Sequence, residues 1–315
     1  SYAYKKVLDA DSLSQGDKKA SGFGEQLMQT LLVGKTYQTK NKKAWITLKN
    51  ALSIIPEYNF VDGLWVGATF TTGYKINNQT KLQFTPQVHY TIARKEWVGS
   101  GTLSLDYAPR RLGKLWIKAG SASADFNTSD GEPRIINSLS SLIFGRSDIK
   151  FYNRKYLTAG NQVELTNSLL FTSVIDWERR EALDNHTHKS IFKKRNKQNI
   201  PDNRDYFAMP VNNLLKATFS LSYTPEHYYR MIHGKKVYEN SLYPTFSVLY
   251  QQAFSQNGDK ITPEFKKAEV SIEQKVEFGM FNNLYWYING GLLWDKNDIQ
   301  FPDFKHFSTT RLPVT

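Results

Sequence analysis

The chain contains no cysteine. A disulfide framework and thiolate chemistry are therefore excluded. It also has no apolar run near the roughly 20 residues that a membrane-crossing helix needs, so any span must be built from strands. The opening SYAYKKVLDADS lacks the basic-then-apolar pattern of a secretory leader. We read the chain as a mature or trimmed fragment in which further strands are missing. Lys and Arg total 41 against 29 Asp and Glu, a net charge of +12. That balance suits an anionic partner such as lipopolysaccharide, whereas nucleic acid is not expected because the basic residues are scattered among acidic ones.

Aromatic residues are abundant, with 19 Phe, 18 Tyr and 7 Trp. Much of the text alternates apolar and polar residues. LQFTPQVHYTI (82–92) sets Leu82, Phe84, Val88, Tyr90 and Ile92 against Gln83, Thr85, Gln87, His89 and Thr91, which is a strand with two unlike faces. Pro86 removes one ladder donor, so a bulge or local break is expected there. GLWVGATFTTGY (63–74), VGSGTLSLDY (98–107), LKATFSLSYTP (215–225) and KAEVSIEQKVEFG (267–279) repeat the pattern. QNGDK (256–260) carries the Asn-Gly hairpin signal. About ten strands, many of nine to thirteen residues, are joined mostly by short turns. IINSLSSLIF (135–144) reads as a short helix, and the polar stretch 185–213 as a long loop. Residues 1–42 form a linker or lead-in segment and 43–315 the strand-rich domain.

A soluble sandwich would turn the apolar faces to a core, and a membrane barrel would turn them to lipid. Strand length favours lipid, because transmembrane strands need about 9–11 residues and globular strands average 5–6. Aromatics near strand ends (Tyr74, Trp97, Tyr107, Trp116, Trp177, Tyr223 and Trp294) sit where interfacial girdles form. The expected fold is an all-β, antiparallel, up-and-down transmembrane barrel, incomplete at the C-terminus, with long polar loops. Gln87, His89, Lys267, Glu269, Glu273, Lys275 and Glu277 then face the lumen. In the strand 267–278 only Gln274 breaks the apolar face.

Six passages carry a resemblance: YNFVDGLWVG (58–67), IKFYNRKYL (149–157), VIDWERREALDN (174–185), SYTPEHYY (222–229), LYPTFSVLY (242–250) and GGLLWDKNDIQFPDFKHF (290–307). In content and order they resemble a family of large outer-membrane proteins of Bacteroidota whose function is unknown, often found behind a carboxypeptidase-regulatory-like domain. The resemblance implies a C-terminal barrel in a bacterial outer membrane. It implies no activity.

The residues offer little chemistry. LLVGKT (31–36) ends like a phosphate-binding loop, but the Gly required five positions before Gly34 is Gln29. DNHTH (184–188) brings two imidazoles and one carboxylate together without a third spaced ligand. DWERRE (176–181) suits ion pairing within a barrel better than acid/base catalysis. FPDFKHF (301–307) is either a plug or docking loop or an anchored turn. Lys193, Lys194, Arg195, Asp303 and His306 are the candidate partner-docking residues. No enzyme activity, cofactor or metal is expected. The partners expected are outer-membrane lipid and lipopolysaccharide, together with other envelope proteins. The expected role is an envelope scaffold, assembly factor or complex subunit; the alternatives are a channel or transporter for a small polar solute, and a soluble β-sandwich binding module.

Overall fold

A computed structural model describes residues 35–48, 57–77, 80–127, 133–192, 198–200, 209–232, 234–256, 261–278 and 282–305. Thirteen strands make one antiparallel sheet. In chain order they are β1 (Lys35–Gln38), β2 (Ala44–Leu48), β3 (Tyr58–Asn59), β4 (Gly63–Lys75), β5 (Lys81–Thr91), β6 (Glu96–Ala108), β7 (Gly113–Asp125), β8 (Phe151–Thr166), β9 (Leu169–Ala182), β10 (Asn212–Tyr223), β13 (Thr245–Phe254), β14 (Glu264–Phe278) and β15 (Asn282–Asn297). A separate hairpin, β11 (Tyr229–Ile232) and β12 (Lys235–Tyr238), lies between β10 and β13. Apart from β3, which pairs with the start of β4, each strand lies beside its chain neighbour in a meander. Among the described residues the order does not return to its start, and β1 and β15 are the edges.

The connections divide into two ends. The turn end holds tight links, including the two-residue turn Asn167–Ser168 and the 3-10 turn Pro109–Arg111, plus the β11–β12 hairpin. The loop end holds the long segments 126–150, 183–211 and 255–263 and the chain after β15. One helix, α1 (Arg134–Phe144), lies in the first of these. It stops at Gly145, whose left-handed φ of 65° lets its N–H bond back to Ser141 O.

The alternation resolves inside out. Val66, Phe70, Phe84, Val88, Leu103, Ile117, Ile175, Phe219, Val248 and Val270 are all exposed. The polar face is the covered one, with Thr158 at 8% and Glu178 at 5% exposure. Among the described residues the clusters of buried apolar side chains lie at the loop end. Val61, Ile149 and Phe151 form one cluster, Phe126, Tyr152 and Met209 a second, and Leu214, Ala253 and Phe265 a third.

Pro86 breaks the ladder without a bulge. Pairing with β4 lapses between Thr69–Gln87 and Thr72–Phe84, yet the register is unchanged and Pro86 still faces Gly101 on β6. Thr71 and Thr85 bridge the gap through their hydroxyls, 3.2 Å apart. β8 begins at Phe151, well before the alternating NQVEL. Its first three residues are all buried, because loop residues pack on both faces, Val61 and Leu183 on Phe151 and Phe126 and Met209 on Tyr152, and no alternation survives to be read.

Candidate functional site

The polar face of the sheet is where titratable side chains converge. Strands β8 to β10 place Arg154, Thr158, Asp176, Glu178, Arg180 and Asn212 on it. Arg154 Nη2 lies 2.6 Å from Glu178 Oε1, and Thr158 Oγ1 donates to Asp176 Oδ1 at 2.5 Å. Arg180 Nε donates to Asn212 Oδ1 at 2.7 Å. Both terminal nitrogens of Arg180 grip Asp303, at 2.6 and 3.2 Å. Asp303 belongs to the 3-10 turn Phe301–Asp303, which follows β15 and returns onto β9. Beside it, Phe301 packs edge-on against Phe126 at 5.5 Å. Lys305 reaches Glu269 on β14 at 2.8 Å and also bonds Asn289 on β15. Residues 301–305 thus tie β9 to β14 and β15 across the polar face.

The predicted lumen residues share this face. Register pairs Gln251 with Lys267, Leu249 with Glu269 and Thr245 with Glu273, in line with the face that carries Lys216 and Arg180. Lys267 and Glu269 are 2.5 Å apart, and Lys275 and Glu277 2.9 Å apart. Gln87 accepts from Ser100 Oγ at 3.4 Å, and the His89 ring lies 5.6 Å from Trp65. Of the docking candidates, Asp303 is buried against Arg180 rather than presented outward. Lys193, Lys194, Arg195 and His306 lie outside the described residues. Trp116 departs from the girdle expectation and faces inward over Gly160. Gln274, the polar break in an apolar face, donates to Leu242 O at 2.8 Å.

A second cluster closes the turn end. Lys236 of β12 is buried and bonds Glu164 of β8 at 2.7 Å and Asn167 at 2.8 Å. Tyr238 also donates to Glu164. Burial works against the Lys236 ammonium, but the bonds and charge of Glu164 and Tyr238 hold its pKa above the ordinary lysine value. The hairpin extends as far as Pro109–Arg111 between β6 and β7. Nothing periodic in the sequence signals this latch, because Lys236 and Glu164 are 72 residues apart.

The cluster also brings a serine and a histidine together. His227 Nε2 faces the carbonyl of Glu239 at 2.7 Å and must carry the proton, which leaves Nδ1 to accept from Ser168 Oγ at 3.4 Å. Ser168 Oγ already accepts the Thr224 N–H, and His227 stacks on Tyr238 at 4.1 Å. The contact is long, covered and without an orienting carboxylate, so it is packing rather than a nucleophile and its base. A cavity of about 590 Å³ at the loop end is lined by Phe126, Phe151, Leu183, Asp184, His188 and Asn199. His186 is held by its backbone N–H on Phe60 O and its ring on Val61 O, both at 2.9 Å. Among the described residues no group of three potential ligands could hold a metal. The Lys35–Thr36 pair of the apparent phosphate loop lies in strand β1.

The profile of the C-terminal domain of a family of unknown function, DUF5686, matches residues 28–315. The chain belongs to this family. No curated protein and no solved structure matches the chain. In this chain the domain is an antiparallel sheet with residues 301–305 folded onto its polar face. Among the described residues no helix is long and apolar enough to cross a membrane.

Proposed function

We propose that this domain is the wall of a bacterial outer-membrane β-barrel, and that it serves as a non-enzymatic scaffold or assembly subunit of the envelope. The observation that carries the reading is the inverted alternation, with apolar residues bare and polar residues half-covered or buried along most of the successive strands from β4 to β14. Water penalises such a surface at about 25 cal/mol per Å² of apolar area, and lipid removes the penalty. A sandwich would bury this face under a second sheet. Among the described residues there is one large sheet, and its apolar face has nothing over it.

The band has bilayer dimensions. Trp97 and Tyr107 are exposed near opposite ends of β6, ten residues apart. At about 3.3 Å per residue and a tilt near 40° this is roughly 25 Å, the height of the apolar band of transmembrane barrels. A scaffold is favoured over an open channel by what fills the interior: the 301–305 segment at one end and the Lys236–Glu164 latch at the other. The Bacteroidota envelope and its other proteins are the proposed setting, with outer-membrane lipid as the direct contact.

The deciding experiment is partitioning of the protein between aqueous and detergent phases, with gel migration compared before and after boiling. Detergent dependence with a heat-sensitive shift supports the barrel. A chain that stays in buffer without detergent overturns it. Stable conductance steps in a planar bilayer would favour the channel instead.

A further inference from the structure

The rims of the apolar band differ in charge. At the turn end three neighbouring connections, those of β1–β2, β4–β5 and β6–β7, present Lys40, Lys42, Lys43, Lys75, Arg110 and Arg111, all exposed. Lys75 N–H bonds Lys43 O at 2.8 Å, which sets the first two turns side by side. Among the described residues none of the six has a carboxylate within ion-pair distance. Asp106, the acidic group on this arc, is taken by Lys81 at 3.1 Å. On the loop-end rim of the same strands most cations are paired: Arg94 lies between Asp62 and Glu96, at 3.5 and 2.6 Å, and Arg134 pairs with Glu57 at 2.8 Å, which leaves Lys95 as the exposed cation of the β5–β6 connection.

Directly beside the six cations, on the apolar face, stand Tyr37, Tyr74 and Tyr107, each exposed. A row of tyrosines backed by a row of unpaired cations matches the boundary between acyl chains and phosphates. Unpaired like charges on adjacent turns repel each other unless an anionic surface lies against them. We propose that this arc seats the phosphate headgroups of anionic lipid at the turn-end rim of the apolar band. The inference rests on the membrane reading above. Its partner is the lipid surface and not a soluble polyanion.

The test uses the full-length protein folded into vesicles of phosphatidylcholine, with and without phosphatidylglycerol, and follows the temperature at which compact gel migration is lost. Each surface cation near an anionic bilayer changes partitioning by about fivefold. Anionic lipid should therefore raise the wild-type midpoint by several degrees. The rise should vanish in the K40Q/K42Q/K43Q/K75Q/R110Q/R111Q variant and persist in K296Q, which alters an exposed lysine at the loop end. If the sixfold variant fails to fold, about 1 M salt on the wild type serves instead, because the Debye length is then about 3 Å. A protein that enters neutral vesicles but shows no rise, or keeps it in the sixfold variant or in salt, overturns the lipid seat and leaves the barrel standing. A protein that enters no vesicle overturns both. An equal rise in neutral vesicles on adding soluble polyphosphate overturns the lipid as partner.

Discussion

Arg180 and Asp303 form a two-pronged ion pair across 123 residues of sequence, and both side chains are almost wholly buried. One lies on a central strand and the other on a turn beyond the last strand, so this contact fastens the C-terminal segment to the polar face. Removing the anion leaves a buried guanidinium whose remaining hydrogen bond among the described residues is to the Asn212 side chain, with the Glu178 carboxylate nearby already paired to Arg154. Asp303→Ala should cost about 3–5 kcal/mol, because the loss of one partner of a buried pair leaves an uncompensated charge. Asp303→Ala with Arg180→Met should recover part of that loss. Urea midpoints in detergent micelles give both values. A single variant as stable as the wild type would mean that the pair contributes no fastening.

The hairpin latch predicts a local effect instead of a global one. Lys236→Met leaves the Glu164 carboxylate covered and short of its cation, while every sheet pairing remains. The expected outcome is faster proteolytic cleavage within 229–238 with the core fragment intact. Because the folded pKa of Lys236 lies above its unfolded value of about 10.4, the latch is fully present below that value. It is lost only as pH rises through the folded pKa. Cleavage of the wild type should therefore be flat between about pH 6 and 9. A rise in cleavage inside that window would show that another group controls the hairpin.

What could be read from the sequence follows from what repeats. Strands such as β5, β10 and β14 alternate along most of their length, and one covered and one bare face translate directly into a period of two. The predicted lumen set from Gln87 to Glu277 rests on that parity, and register puts all of it on one face. Trp116 obeys the same parity: its neighbours Leu115 and Ile117 face outward, so it lies inside, although its place near a strand end suits a girdle. Helix α1 shows the same inversion: Asn137, Ser138 and Ser141 are buried while Ile135, Leu139, Leu142 and Phe144 are exposed. Asn137 accepts the Asp148 and Ile149 N–H groups, a role that only the folded loop reveals. The ion pairs of Asp303 and Lys236 were invisible for a plainer reason, since each joins residues 70 or more apart with no periodicity between them.

Trp116 also makes a prediction. A Cβ added at Gly160 would lie 2.3 Å from the indole, closer than any real contact permits. The glycine on β8 is the bed on which the inward indole of β7 rests, a cross-strand pairing known to compensate strand glycines. Gly160→Val must displace the ring, and overpacking of this kind costs about 1–3 kcal/mol. Adding Trp116→Ala should remove the clash and bring back part of the stability, which thermal melts of the two variants would register. If Gly160→Val alone is neutral, the indole is not seated there.

Two adjacent residues on β10 separate lipid from solvent as the neighbour of the bare face. Phe219 is exposed on the apolar side and Ser220 is half-covered on the polar side, one residue apart at nearly the same depth. If the apolar side meets hydrocarbon, an arginine there is charged at the bilayer centre, which costs about 2–4 kcal/mol in barrels. On the polar side it meets the Gln251, Thr218 and Ser222 neighbourhood and costs far less. Phe219→Arg should therefore lower the unfolding free energy in vesicles by several times as much as Ser220→Arg. The ordering reverses for a protein in water, where an arginine at an exposed Phe is harmless and one on the covered face is not. Measuring both variants in phosphatidylcholine vesicles thus reads out which face is wet, and Ser220→Arg as the costlier change would turn the sheet the other way round.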